Sequence, residues 1–140
     1  MIEGYARPRV AEFFAGIGLV RMAIEEHGLD VVWANDIERD KLSLYAKNFD
    51  ARDFVLGDIR DIRGVDVPDV DLATASFPCT DLSLAGNRVG LRGEQSGLFW
   101  EFSRVTHGHL GDKTKLSISN DLNVVDAINL THTLEAFATM

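Results

Sequence analysis

The stretch Ala11-Glu-Phe-Phe-Ala-Gly-Ile-Gly-Leu19 decides the fold, because it predicts a buried strand that runs into a glycine turn. The strand is expected at Val10–Phe14, and apolar residues from Val20 to His27 follow at the spacing of one helix face. Gly28 is placed to end this helix in a left-handed conformation. Such a glycine turn lets the backbone approach a ligand closely, because glycine adopts positive φ and has no side chain.

Strands and helices continue to alternate along the chain. Further strands are predicted at Val31–Asn35, Phe54–Leu56 and Asp71–Ala75, and further helices at Arg39–Asn48 (burying Leu42, Tyr45, Ala46 and Phe49) and around Leu98, Phe102 and Val105. This order predicts an α/β fold with a doubly wound, mostly parallel sheet. Ligands of such sheets bind at the carboxyl ends of the strands.

A second stretch, Ser76-Phe-Pro-Cys-Thr-Asp-Leu-Ser83, follows the fourth strand and carries the single cysteine of the chain. A lone cysteine is most often a small buried hydrophobe. The position of Cys79, after Pro78 and before the glycine-rich segment 80–95, favours instead a loop that presents a nucleophilic thiol. One cysteine and scattered histidines lack the spacing of metal ligands, so we expect no metal site.

Composition limits the class of protein. With 140 residues, 46% of them hydrophobic and 26% charged, the chain is expected to form one globular domain. It contains no apolar run of the roughly 18 residues that a membrane span needs and no signal-peptide pattern, and its single cysteine fits a reducing compartment, so a cytoplasmic location is expected. The net charge of −8 is unfavourable for a nucleic-acid partner unless basic surface comes from other polypeptide.

Two acidic residues follow predicted strands. Asp36 ends the second strand, where a carboxylate can accept hydrogen bonds from ribose hydroxyls, and Asp58 follows the third, where it can meet an adenine amino group. The alternatives are a glycine turn without a ligand and an Asp36 that only caps the next helix. Nicotinamide dinucleotides are disfavoured because Arg21 occupies the third glycine position, so an adenosine ligand without pyrophosphate, such as S-adenosylmethionine, fits better.

Five blocks resemble the DNA (cytosine-5) methyltransferases in order and spacing, and are similar to the bacterial restriction–modification members. The blocks are Phe14-Ala-Gly-Ile-Gly18, Asn35-Asp36, Gly57-Asp-Ile59, Phe77-Pro-Cys79 and Ser96-Gly-Leu-Phe99. The resemblance covers roughly residues 8–105. It implies a sheet of the S-adenosylmethionine-dependent methyltransferase type, truncated after about four strands, with a partial catalytic domain at 1–105 and an atypical tail at 106–140.

The resemblance also implies a role for individual residues. The S-adenosylmethionine site would be lined by Phe14, Gly16, Gly18, Pro78 and Leu98, with Asp36 on the ribose, Asp58 on the adenine amino group and Ile37 covering the base where the family often has tryptophan. Cys79 would attack C6 of a cytosine flipped out of the DNA. Thr80, Ser83 and Arg88 would belong to a loop that closes over the DNA.

Several family features are missing from the sequence: the Glu-Asn-Val block, the Arg-x-Arg block, the target-recognition region and the final cofactor-closing block. The family protonates cytosine N3 with the glutamate of a Glu-Asn-Val block at the end of the strand after the cysteine. Here that region reads Leu116-Ser-Ile-Ser-Asn120, and the only glutamate after Glu101 is Glu135. The tail is not expected to continue the α/β pattern, which would leave the fourth strand, Asp71–Ala75, as an exposed edge.

These departures lead to three hypotheses about function. The first is the cofactor and nucleophile part of a DNA cytosine-5 methyltransferase, inactive alone, marginally stable and completed by a complementary polypeptide. The second is a non-catalytic remnant or subunit that binds the cofactor or a partner. The third, less favoured because of the Thr-Asp-Leu-Ser continuation after Cys79, is a tRNA cytosine-5 methyltransferase.

Overall fold

The computed structural model describes residues 7–77, 94–109 and 115–120. In chain order the elements are β1 (Arg9–Phe13), α1 (Leu19–Glu26), β2 (Asp30–Asp36), α2 (Arg39–Tyr45), β3 (Phe54–Leu56), 3-10 turns at Ile59–Asp61 and Gly64–Asp66, β4 (Leu72–Phe77), α3 (Glu94–His109) and β5 (Lys115–Asn120). In these ranges no helix combines the length and the apolar composition needed to cross a membrane.

The five strands form one parallel sheet in the order β3-β2-β1-β4-β5. The chain moves outward from β1 to β3 and then returns to the other side of β1 with β4, so the strand order reverses between β1 and β4. This is the topological switch point at which doubly wound sheets bind ligands. The predicted fold class is confirmed.

The central strand β1 is buried on both faces, as expected in a parallel sheet covered by helices. On one face Val10 packs with Val20 and Ile24 of α1. On the other face the ring of Phe13 lies edge-on to Phe102 of α3, with their centroids 5.1 Å apart. The alternation of β1 side chains therefore joins the two helical layers to the sheet.

The first half of the chain follows its prediction closely, with one correction. Strand β3 is found where it was expected, and Gly28 ends α1 with φ +85°. Helix α2 ends at Tyr45, which is fully buried and packs edge-on against Phe54. Helix α2 thus ends before the predicted Asn48, and Ala46, which was expected to be buried, is exposed because the position after Tyr45 turns toward solvent.

The expectation that β4 forms an exposed edge is wrong. Strand β5 pairs with β4 in parallel from Leu72↔Lys115 to Phe77↔Asn120, so part of the 106–140 tail continues the sheet. Leu116 and Ile118 alternate with polar residues, which is the weak period-two pattern of a short strand. Helix α3 also runs past residue 105 to His109. An unpaired β4 therefore cannot be a cause of marginal stability in this protein.

Candidate functional site

A cleft of about 610 Å³ opens at the carboxyl ends of the first four strands. Small-molecule sites commonly have volumes of about 300–1,000 Å³. Six of the predicted site residues line this cleft: Phe14, Gly16, Asp36, Ile37, Asp58 and Leu98. They come from the ends of β1, β2 and β3 and from α3, so residues far apart in sequence meet at the switch point of the sheet.

The turn after β1 is built from left-handed backbone. Gly16 has φ +58° and Gly18 has φ +97°, and the N–H of Gly18 donates to the carbonyl of Ala15 at 3.2 Å. Phe14 also has positive φ, at 55°, which costs a non-glycine residue about 1–2 kcal/mol. Its side chain packs against the hydrophobic core, which holds the strained residue in place. The turn brings the main chain directly to the cleft wall.

The carboxylate of Asp36 connects this turn to the end of β2. Its Oδ2 accepts the N–H of Gly16 at 2.9 Å and its Oδ1 accepts the N–H of Glu38 at 3.0 Å. The N-cap of α2 is Glu38, so Asp36 is not the cap of that helix, although it orders the residue that is. Each carboxylate oxygen can accept two hydrogen bonds, so the contacts among the described residues leave one acceptor position on each for a ligand.

Asn35 ties the ends of β2 and β3 together. Its Nδ2 donates to the carbonyls of Val55 at 2.8 Å and Gly57 at 3.0 Å, and the N–H of Gly57 donates to the carbonyl of Asp36 at 3.0 Å. Asn35 lines the cleft and is almost completely buried. Sequence reasoning assigned Asn35 no role. The available signal was a polar residue directly before the acid that ends a predicted buried strand.

Asp58 lines the cleft at the end of β3. It is the N-cap of the Ile59–Asp61 turn, where its Oδ1 accepts the N–H of Arg60 at 2.9 Å. Its Oδ2 accepts from the Arg60 guanidinium at 3.1 Å, and a quarter of the Asp58 side chain is exposed. Asp58 is therefore an oriented, acceptor-only group at the cleft.

The remaining predicted site residues divide into two groups. Gly18 is not among the residues that line the cleft, since a Cβ there would point into the ring of Phe49. The others lie outside the described residues: Pro78, Cys79, Thr80, Ser83 and Arg88. Strand β4 ends at Phe77, two positions before Cys79 in the sequence.

Residues 8–109 match the family model of the C-5 cytosine-specific DNA methylases. The chain belongs to this family. The match contains every predicted site residue from Phe14 to Leu98 and ends before β5. The resemblance inferred from the five sequence blocks is thereby confirmed.

Two curated relatives illustrate the extent of the similarity. Over 99 residues the chain is 39% identical to the type II methyltransferase M.Bsp6I of Bacillus sp. (strain RFL6), covering 69% of this chain and 31% of the relative. Over 97 residues it is 31% identical to M.HhaI of Haemophilus parahaemolyticus, covering 69% and 29%. The chain therefore spans less than a third of the length of these methylases.

Solved structures share the fold. The S. pombe Dnmt2 methyltransferase superposes with a TM-score of 0.65 at 22% identity, covering 94% of this chain and 41% of that one. A TehB-like SAM-dependent methyltransferase from Corynebacterium glutamicum gives a TM-score of 0.56 at 17% identity, covering 93% and 66%. This chain thus has the methyltransferase-type sheet.

Several charged or polar residues that line the cleft were not predicted. They are Glu38, Lys41, Arg60 and Ser76. Lys41 pairs with Glu38 at 3.0 Å and Arg60 pairs with Asp58, so two neighbouring ion pairs stand at the cleft. Within residues 7–77, 94–109 and 115–120, no group of three or more potential ligand side chains forms a metal site.

Behind the turn after β1 lies a second polar cluster, between α1 and α2. Arg21 donates to Glu25 at 2.7 Å and to the Tyr45 hydroxyl at 2.8 Å, and its guanidinium lies 5.0 Å from the centroid of the Phe49 ring. Arg21 occupies the position of the third glycine of dinucleotide-binding folds, and here it joins α1 to α2. Glu12 of β1 lies buried near this cluster.

Proposed function

We propose that this chain is the cofactor-binding and nucleophile-bearing part of a DNA cytosine-5 methyltransferase that uses S-adenosylmethionine. One observation carries the proposal: in a chain of the C-5 cytosine-specific methylase family, Phe14, Asp36 and Asp58 come from three different strand ends and line one cleft. The named relatives are methyltransferases, so the comparisons favour this function over a non-catalytic binding module.

The acceptor groups and the apolar surface of the cleft suit an adenosine ligand. Asp36 has one open acceptor position on each oxygen for the ribose hydroxyls. Ile37 is 61% exposed at the cleft, so its apolar surface is available to cover the base without aromatic stacking. Asp58 accepts a hydrogen bond from the amino group of adenine. When bound, S-adenosylmethionine supplies an electrophilic methyl group.

Cys79 is the proposed nucleophile. In the family reaction its thiolate adds to C6 of a flipped-out cytosine, and this requires a proton or hydrogen bond at N3. Strand β5 occupies the neighbouring position in the sheet, with Asn120 opposite Phe77, and contains no glutamate. We therefore infer that a complementary polypeptide supplies both the acid and basic DNA-binding surface.

Cofactor binding gives the first test. Replacing Asp36 by alanine is expected to weaken binding of S-adenosylhomocysteine about 10–100-fold, because hydrogen bonds to a charged group are worth about 1.5–3 kcal/mol. Isothermal titration calorimetry measures the effect. Asp40→Ala, an exposed carboxylate of α2 that does not line the cleft, is the matched control. Unchanged binding by Asp36→Ala, or none by the wild-type chain, contradicts the proposal.

Methyl transfer gives the second test. The chain alone is expected to leave DNA unmethylated, whereas mixing it with the remainder of M.Bsp6I, which supplies the missing segments, is expected to restore transfer of labelled methyl groups. Cys79→Ala should abolish the restored activity. Ser43→Ala, on the exposed side of α2, should not change it. Activity of the chain alone, or activity that survives Cys79→Ala, would refute this part of the proposal.

A further inference from the structure

Arg104 of α3 reaches across to the turn that follows β3. Its Nη2 donates to the carbonyl oxygens of Ile59 at 3.1 Å and Ile62 at 3.0 Å. Its Nε donates to Glu101, one helical turn earlier, at 2.7 Å. The guanidinium therefore holds two main-chain carbonyls that are more than forty positions away in the sequence, while Glu101 orients it.

The turn that Arg104 contacts carries Asp58. It contains only three residues in 3-10 conformation, closed by hydrogen bonds from Asp61 to the carbonyl of Asp58 and from Ile62 to that of Ile59. So short a turn has little stability of its own. Its position relative to the cleft must therefore come from tertiary contacts.

Two kinds of contact attach the turn to α3. The side chains of Ile59 and Ile62 are buried in the same core cluster as Phe102 and Val105 of α3. Apolar packing is non-directional and allows the turn to slide or rotate. The planar guanidinium of Arg104 adds directional, charge-assisted hydrogen bonds to the main chain immediately after Asp58, which restricts that motion.

We propose that Arg104 is a positioning residue that makes the cleft selective for a base with an exocyclic amino group. This inference rests on the proposed function of the cleft. A deprotonated Asp58 only accepts hydrogen bonds. Held in place by Arg104, it attracts the amino group of adenine and repels the carbonyl oxygen at the same position of hypoxanthine. If the turn is free to move, Asp58 withdraws from the base and the difference disappears.

The test compares S-adenosylhomocysteine with S-inosylhomocysteine by isothermal titration calorimetry. The wild-type chain is expected to prefer the adenosyl compound at least about tenfold, since the Asp58 carboxylate attracts an amino donor and repels the carbonyl oxygen that replaces it. Arg104→Ala is expected to bind S-adenosylhomocysteine about tenfold more weakly and S-inosylhomocysteine almost as well as the wild-type chain does. The ratio of the two affinities then approaches one. Arg104→Lys, which retains the charge but not the two-pronged donor, should be intermediate.

Two further variants complete the experiment. Arg63→Ala removes an exposed arginine of the adjoining segment that pairs with Asp66, and it should retain the wild-type ratio. Glu101→Gln removes the negative charge that strengthens the orienting hydrogen bond to Arg104, and a reduced ratio is expected while the fold is retained. If Arg104→Ala does not fold, as judged by circular dichroism, Arg104→Lys and Glu101→Gln decide the result.

The outcomes separate the two proposals. A wild-type chain that binds neither compound overturns the proposed function and this inference with it. A wild-type preference that Arg104→Lys and Glu101→Gln leave intact overturns this inference alone. Equal losses of affinity for both compounds also overturn it, because Arg104 then supports the fold without influencing the choice of base.

Discussion

Alanine at Gly18 is expected to lower the free energy of unfolding by about 2–5 kcal/mol, combining backbone strain of about 1–2 kcal/mol with overpacking of about 1–3 kcal/mol. Gly18 has φ +97°, and a Cβ there would lie 2.8 Å from Cδ2 of Phe49 and nearer still to Cε2. Phe49 cannot move aside freely, because it packs against Tyr45 and beneath the guanidinium of Arg21. A typical domain is stable by only about 5–15 kcal/mol, so the loss is large.

Urea unfolding, with Gly28→Ala as the matched control, measures this effect. Gly28 also has positive φ, at 85°, but no atom lies within 4 Å of a Cβ built there, so its replacement costs only the backbone strain. Adding Phe49→Leu to Gly18→Ala should recover part of the overpacking cost by making room for the methyl group. Equal destabilisation by Gly18→Ala and Gly28→Ala would contradict the packing argument.

The carboxyl group of Glu12 is expected to make the protein less stable as pH rises. Glu12 is 1% exposed in the middle of β1, and within the described residues its oxygens lack a hydrogen bond of standard geometry, although the backbone N–H of Arg21 interacts with them. Thr74, opposite Glu12 on β4, is equally buried and its hydroxyl is likewise unbonded within these residues. Burial raises the pKa of Glu12 from 4.5 to about 8, although the charge of Arg21 acts in the opposite direction.

The direction of the pH effect follows from proton binding. Between pH 4.5 and about 8 the folded protein retains a proton on Glu12 that the unfolded chain has lost. The free energy of unfolding therefore decreases through this range, by up to about 1.4 kcal/mol for each pH unit. Below pH 4.5 both states are protonated and the stabilising effect is complete.

Glu12→Gln keeps the shape of the side chain but cannot ionise. It should unfold at a higher urea concentration than the wild-type chain at pH 8 and at nearly the same concentration at pH 5, so the pH slope becomes flatter. Glu26→Gln, on the exposed side of α1, is the control and should keep the wild-type slope. A wild-type protein that becomes more stable from pH 5 to pH 8 would refute the assignment.

Most of the cleft was predictable from the sequence because its signals are local. Glycines mark positive φ, acids mark strand ends, and apolar spacing marks the elements. The carboxyl ends of parallel strands share one edge of the sheet, so Gly16, Asp36 and Asp58 were expected to meet there, and all three line the cleft. The roles inferred from the family for Cys79 and its neighbours stay predictions.

The sequence by itself thus determined the parallel α/β sheet and its first four strands, and it placed Gly16, Asp36 and Asp58 at the cleft, because backbone preferences and periodicity are properties of neighbouring residues. The assignment of Phe14, Ile37 and Leu98 to the cleft came from the family resemblance. Only the tertiary structure decided the pairing of β5 with β4, the packing of Phe49 against Gly18, the contact of Arg104 with the 59–62 turn and the isolation of the Glu12 carboxyl. Each of these depends on groups brought together from distant parts of the chain, and no local pattern encodes which groups will meet.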